Sequence, residues 1–157
     1  MSARIVPDYA DLAALLEVDR KRGRSIALAN GCFDLLHVGH VRMLRDAARE
    51  ADLLVVALNR DESVRASKGA GRPLVPLADR MEVMAALEGV AYVTSFAEPT
   101  ADALILALRP DVQIKGTDRS PESVPERETL LSYGGRIAIC GDAKTHSSSS
   151  LIEKLSQ

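Results

Sequence analysis

The chain has 157 residues, 46% hydrophobic and 27% charged, with a formal net charge of −2; this is the size and composition of one globular domain with its own core. Aromatic residues make up 3% and Trp is absent, so the core is aliphatic, and the even charge balance excludes a broad basic surface for nucleic acid. Apolar runs such as 53–58 fall far short of the ~20 residues that span a bilayer, residues 1–8 lack the apolar stretch of a secretory signal, and Cys32 and Cys140 have neither disulfide-scaffold nor zinc-knuckle spacing.

The expectation is a reduced, cytoplasmic protein. Asp8 caps a predicted helix over 8–22, with Leu12, Leu15 and Leu16 on one face and Gly23 as its stop. Residues 1–24 therefore read as a helical extension of a single domain over 1–157. Strands are predicted at 25–29, 53–58, 91–94, 112–114 and 136–140. Between them lie helices at 40–51, carrying Val41, Leu44 and Ala48, and at 77–87, carrying Met81, Met84 and Leu87. Further helices are predicted at 100–108, with Thr100 as N-cap, and at 126–133, stopped by Gly134-Gly135. A last helix opens in the serine run and carries Leu151, Ile152 and Leu155. Most of these strands are apolar on both faces, as in a parallel sheet covered on both sides. The fold class is α/β: a doubly wound, parallel, five-stranded Rossmann-like sheet, whose ligands sit in loops at the carboxyl ends of the strands.

The loop after the first of these strands reads Asn30-Gly31-Cys32-Phe33-Asp34-Leu35-Leu36-His37-Val38-Gly39-His40. Gly31 permits a sharp turn, and Gly39 permits close approach of a ligand. His37 and His40 stand at a helix start, where free N–H groups and the positive dipole end favour phosphate. Their imidazoles can donate to phosphate oxygens and stabilise charge growing during phosphoryl transfer. A lone His at a helix start is more often a surface or capping residue, and two His spaced by three can ligate metal. Asp34 alone does not complete a metal site.

Gly31, Phe33, Asp34, His37, Gly39 and His40 together resemble the His-x-Gly-His nucleotidyltransferases, in their cytidylyltransferase-like branch. Over about 25–154 the chain is similar to the adenylyltransferase domain of bacterial ADP-heptose synthases, with Ala29 where Thr is usual. That domain is often fused to a sugar kinase; a chain of this length resembles the free-standing form. The resemblance implies AMP transfer from ATP to a sugar 1-phosphate, D-glycero-β-D-manno-heptose 1-phosphate, with pyrophosphate released. A cytidylyltransferase using CTP and glycerol 3-phosphate, or a related alcohol phosphate, is the alternative. It implies Mg²⁺ bound mainly through the triphosphate, and it allows a homodimer.

The same resemblance distributes roles. His37, His40 and Lys68 are the catalytic candidates, Lys68 being read as a loop residue before Gly69 and Gly71. Asn30, Gly31, Cys32, Phe33, Asp34 and Gly39 form the nucleotide loop, with Cys32 packing within it. Lys115, Gly116 and Asp118 match a Lys-Gly-x-Asp nucleotide motif, with Thr117 replacing a small residue and Arg119 an aromatic one. Ser148, Ser149 and Ser150 match a hydroxyl cradle at the last helix, near the additional cationic candidates Lys144 and His146. Arg72 and Arg80 are the candidates for the substrate phosphate. On their residue types alone, Arg72 could equally be a surface charge and Arg80 half of an ion pair. Asp79 is accounted for by its place near a helix start.

Overall fold

A computed structural model describes residues 2–142 and 148–156. Its strands are β1 (Arg4–Asp8), β2 (Ile26–Gly31), β3 (Leu53–Asn59), β4 (Val90–Phe96), β5 (Val112–Gly116) and β6 (Arg136–Cys140). Its helices are α1 (Tyr9–Lys21), α2 (Val38–Ala47), α3 (Asp61–Lys68), α4 (Leu77–Ala85), α5 (Asp102–Leu108), α6 (Arg127–Leu131) and α7 (Ser148–Leu155). The strands form one parallel sheet in the order β1-β4-β3-β2-β5-β6. Five of them are the expected strands, so the expected count is one short.

The sixth strand, β1, lies in the stretch read as a helical extension. It pairs with β4 at the sheet edge, and its register slips between Ile5 and Asp8. Val6 is its buried residue, and Pro7 lacks the N–H that a central strand would need. Asp8 ends the strand and caps α1 by accepting the Ala10 N–H at 2.8 Å. A second correction concerns Thr100. Its hydroxyl donates to Asp102 at 2.8 Å, and Ala101 holds the N-cap position of α5. A third is α3, which occupies a stretch read as loop.

Alternate residues of the inner strands feed two cores. Ala27, Ala29, Leu54, Val56 and Leu58 face Leu44 of α2 and Met81 and Met84 of α4. Ile26, Leu28, Val55 and Ala57 face Leu12 and Leu16 of α1 and Leu104, Ile105 and Leu108 of α5. Each such leucine, fully buried, contributes roughly 1.5–3 kcal/mol. No helix of the described residues is long and apolar enough to cross a membrane.

From β2 the sheet grows through β3 and β4 on one side and through β5 and β6 on the other. The order therefore reverses between β2 and β5, the switch point beyond whose carboxyl ends open α/β sheets form their ligand crevice.

Candidate active site

Asn30 and Gly31 end β2 at this crevice. Phe33 then takes a left-handed conformation, φ +47°, which is strained for a bulky side chain. A Cβ on Gly31 would lie 3.2 Å from the Phe33 ring, so glycine lets that ring fold back under the loop. Phe33 is buried, and its ring tilts against His40 with centroids 5.2 Å apart.

Asp34 fixes the next part of the site. Its carboxylate accepts Nε of Arg72 at 2.8 Å and the backbone N–H groups of Leu74 and Val75 at 2.9 Å. Burial alone would push this carboxyl up. The Leu74 N–H, the Arg72 guanidinium and the Val75 N–H outweigh it and hold the group below the usual carboxylate range. Asp34 thus clamps the connection between α3 and α4 onto the loop after β2. Nη2 of Arg72 is buried and has no hydrogen-bond partner among the described residues.

His37 is the N-cap of α2, and the two histidines form a capping box. Nδ1 of His37 accepts the Gly39 N–H at 3.1 Å. Nδ1 of His40 accepts the His37 N–H at 3.3 Å, and the two rings stack with centroids 3.9 Å apart. With both Nδ1 atoms accepting backbone N–H groups, the ring proton of each belongs on Nε2. The pair sits at the N-terminus of a ten-residue helix, where backbone N–H groups and dipole favour anions.

The wall at β5 supplies Lys115. Its ammonium is largely buried and lies 3.6 Å from the Glu126 carboxylate. Burial pushes it below the ordinary lysine value; Glu126 opposes that shift and Arg119 reinforces it. Gly116 admits the Asp118 carboxylate, which would stand 3.1 Å from a Cβ at that position. Arg119 is exposed in the turn after β5, its N–H bound to the Gly116 carbonyl at 3.1 Å. Behind it, Thr117 donates to the Asp142 carbonyl, and Arg42 of α2 pairs with the Asp142 carboxylate at 2.6 Å. Among the described residues, no three of His, Cys, Asp and Glu gather as a metal site.

Residues 28–152 match the family model described as cytidylyltransferase-like. The chain belongs to that family. Among curated relatives, this cytidylyltransferase-like chain is 45% identical over 144 residues to the bifunctional protein HldE of Syntrophotalea carbinolica, covering 92% of this chain and 29% of that protein. It is 42% identical over 154 residues to the bifunctional protein HldE of Alcanivorax borkumensis, covering 98% of this chain and 32% of that one. The chain thus spans about a third of the length of these relatives. In fold it is similar to the lipopolysaccharide core biosynthesis protein of Thermoplasma volcanium, with a TM-score of 0.65 at 24% identity, over 78% of this chain and all of that one.

Within this cytidylyltransferase-like fold the expected site residues separate into groups. Asn30 and Gly31 end β2, His37, Gly39 and His40 stand at the start of α2, and Lys115, Gly116 and Asp118 lie at the end of β5 or just beyond it, so all eight belong to the carboxyl ends of β2 and β5. Asp34 lies beneath, both oxygens occupied by protein donors, so its part is to clamp rather than to touch a ligand. Cys32 donates Sγ–H to the Asn59 side chain at 3.6 Å, which fits its packing role. Cys140 is the second thiol; burial pushes it up to about 11, aided by Glu50 and Asp46.

Arg80 forms the ion pair that its residue type allowed, with Asp61. It is almost wholly buried, and its guanidinium donates to the carbonyls of Val75, Cys32 and Asn59 and to Asp61. It ties three segments of the site together and has its donors aimed at protein. Lys68 closes α3 and is exposed, and among the described residues no hydrogen bond or ion pair engages its ammonium. The Asp34 clamp, four residues beyond Lys68, holds that end of α3 to the same pole. Ser148, Ser149 and Ser150 open α7; their side chains, like Lys144 and His146, lie outside the described residues. Sequence reasoning missed Gln113 and Glu126. Both are buried polar residues, and a Gln inside an apolar strand was the available signal.

Proposed function

We propose that residues 1–157 act as one nucleotidyltransferase unit that moves AMP from ATP to D-glycero-β-D-manno-heptose 1-phosphate and releases pyrophosphate. The observation that carries this reading is the stacked His37–His40 pair that caps the N-terminus of α2 at the switch point. The family membership and the HldE relatives support it further.

In this reaction a phosphate oxygen of the acceptor attacks the α-phosphorus of ATP in line. The bond from the α-phosphorus to its bridging oxygen breaks, and that oxygen leaves on pyrophosphate. No covalent intermediate on the protein is needed. Catalysis is positioning plus charge stabilisation. His37, His40 and the positive end of the α2 dipole would stand against the phosphoryl oxygens, where charge develops. Lys115 and Lys68 add positive charge from the walls, and Nη2 of Arg72, without a partner among the described residues, is a donor suited to a phosphate oxygen. Mg²⁺ belongs to the same proposal. It would neutralise the triphosphate and be held mainly by the phosphates, as suits a site whose nearby Asp34 and Asp61 already serve arginines.

Homodimer formation and a cytoplasmic location, where ATP and sugar phosphates are at hand, complete the proposal. The test is a pyrophosphate-release assay pairing each of ATP and CTP with a panel of phosphates. Turnover with ATP and heptose 1-phosphate is expected. Turnover with CTP and glycerol 3-phosphate instead would favour the cytidylyl reading, and silence across the panel would overturn both.

A further inference from the structure

Behind the crevice runs a buried polar chain that the motifs leave unexplained. Glu126 stands just before α6, the position of a capping residue, yet its carboxylate caps no helix N–H. One oxygen lies 3.6 Å from Nζ of Lys115 and 3.5 Å from Nε2 of Gln113. Gln113 is fully buried in β5 and also donates from Nε2 to Oδ1 of Asn30, at 3.3 Å, on β2. The chain therefore crosses the switch point, from the wall that carries Lys115 to the wall that opens the His loop.

A carboxylate this deeply buried is costly unless its charge is met. Here it is met by an ammonium that is itself largely buried, at the strand end where a nucleotide would lie. Had the pair served stability alone, apolar side chains of similar volume would serve as well. We propose that Glu126 is a positioning residue for the nucleotide: it seats the Lys115 ammonium at the carboxyl end of β5 and, through Gln113, orients the Asn30 amide opposite. This rests on the nucleotide-binding reading of the crevice.

The charged groups around Lys115 are Glu126, from the segment before α6, and Arg119 and Asp118, from the turn after β5. Glu126 favours the charged ammonium, while burial and Arg119 oppose it. Removing the Glu126 charge thus lowers the pH at which Lys115 becomes neutral. An Arg at 115 stays charged across this range and cannot show that change.

The probes are α,β-methylene-ATP and α,β-methylene-CTP with Mg²⁺, titrated calorimetrically from pH 7 to 10.5. Failure of the unmodified protein to bind either probe would overturn the nucleotide reading itself. Given binding, Glu126→Gln is expected to weaken it about tenfold, the loss of one charge-assisted contact. Its alkaline decline is expected at lower pH than in the unmodified protein. Lys115→Arg and Lys115→Arg/Glu126→Gln are expected to share one pH profile. Unchanged affinity and profile in Glu126→Gln would overturn the proposal, as would the same alkaline displacement on the Lys115→Arg background. If Glu126→Gln fails to fold, Glu126→Asp keeps the charge at shorter reach. Its profile is expected to match the unmodified protein while affinity falls; unchanged affinity there would overturn the proposal.

Discussion

Nδ1 of His40 accepts the backbone N–H of His37 at 3.3 Å, beneath an imidazole stack whose ring centroids are 3.9 Å apart. His37 repeats the arrangement with the Gly39 N–H. One ring face and one nitrogen of each histidine thus serve the helix. The capping and the proposed catalytic duty of His37 can be separated. Asn caps helices well, so His37→Asn is expected to keep stability within a few tenths of a kcal/mol, whereas His37→Ala loses about 1 kcal/mol. Both are expected to lose roughly 10²–10³-fold in kcat, the usual effect of deleting a transition-state donor. Urea denaturation and pyrophosphate release check the two axes. Full turnover in His37→Asn would reduce the imidazole to a cap.

Asp34 makes acid stability a site property. Its carboxyl is held below the usual carboxylate range, because the Leu74, Arg72 and Val75 donors outweigh its burial. A group depressed in the folded state stabilises the fold above its unfolded pKa, and that contribution is lost as pH falls through the folded value. The unmodified protein is therefore expected to lose stability as pH drops below about 4, and Asp34→Asn to show a shallower loss. At neutral pH Asp34→Asn is expected to cost about 3 kcal/mol, since it strands the Arg72 guanidinium. Urea midpoints from pH 2.5 to 7 decide this; parallel curves would show that Asp34 carries none of the acid sensitivity.

The inner sheet and the His loop were legible because their signals are local. Leu54, Val56 and Leu58 alternate with Val55 and Ala57 within six residues, and the glycine and histidine spacing lies within one loop. β1 was hidden because it is five residues long, has one buried side chain and contains Pro7. α3 was hidden because Val64 is its only buried residue, so no apolar stripe marks it. The tasks of Arg80 and Asp34 were not legible for another reason. Whether a guanidinium faces a phosphate or a carbonyl depends on partners such as Cys32 and Asn59, remote in sequence and brought close only by the sheet.

Two cations of the site therefore predict opposite outcomes. Arg80→Lys cannot reproduce donation to three carbonyls and Asp61, and it is expected to destabilise the fold by about 3 kcal/mol. Lys68→Ala alters an exposed side chain and is expected to change stability by less than about 0.5 kcal/mol, while lowering kcat about tenfold or more as transition-state charge loses a partner. Urea denaturation with kcat and KM measured below the unfolding range separates the two. A stable, slow Arg80→Lys with normal KM would return Arg80 to the substrate phosphate.

Gly134 and Gly135 enter β6 at the end of the sheet away from the crevice, and they are required for different reasons. Gly134 has φ +91° with open space where a methyl group would point, so Ala there meets backbone strain alone, about 1–2 kcal/mol. A Cβ on Gly135 would lie 2.7 Å from Cδ1 and 2.9 Å from Cγ of Leu130, and 3.1 Å from its carbonyl oxygen. Leu130 is fully buried in the core beneath α1 and α5, so it has no free direction in which to retreat. Overpacking of this kind costs roughly 1–3 kcal/mol. Leu130→Ala opens space for the methyl, so Gly135→Ala is expected to cost less on that background than alone, while Gly134→Ala costs the same on both. A double-mutant cycle in urea reads the difference. Equal coupling of the two glycines to Leu130 would mean that strain, not contact, governs both.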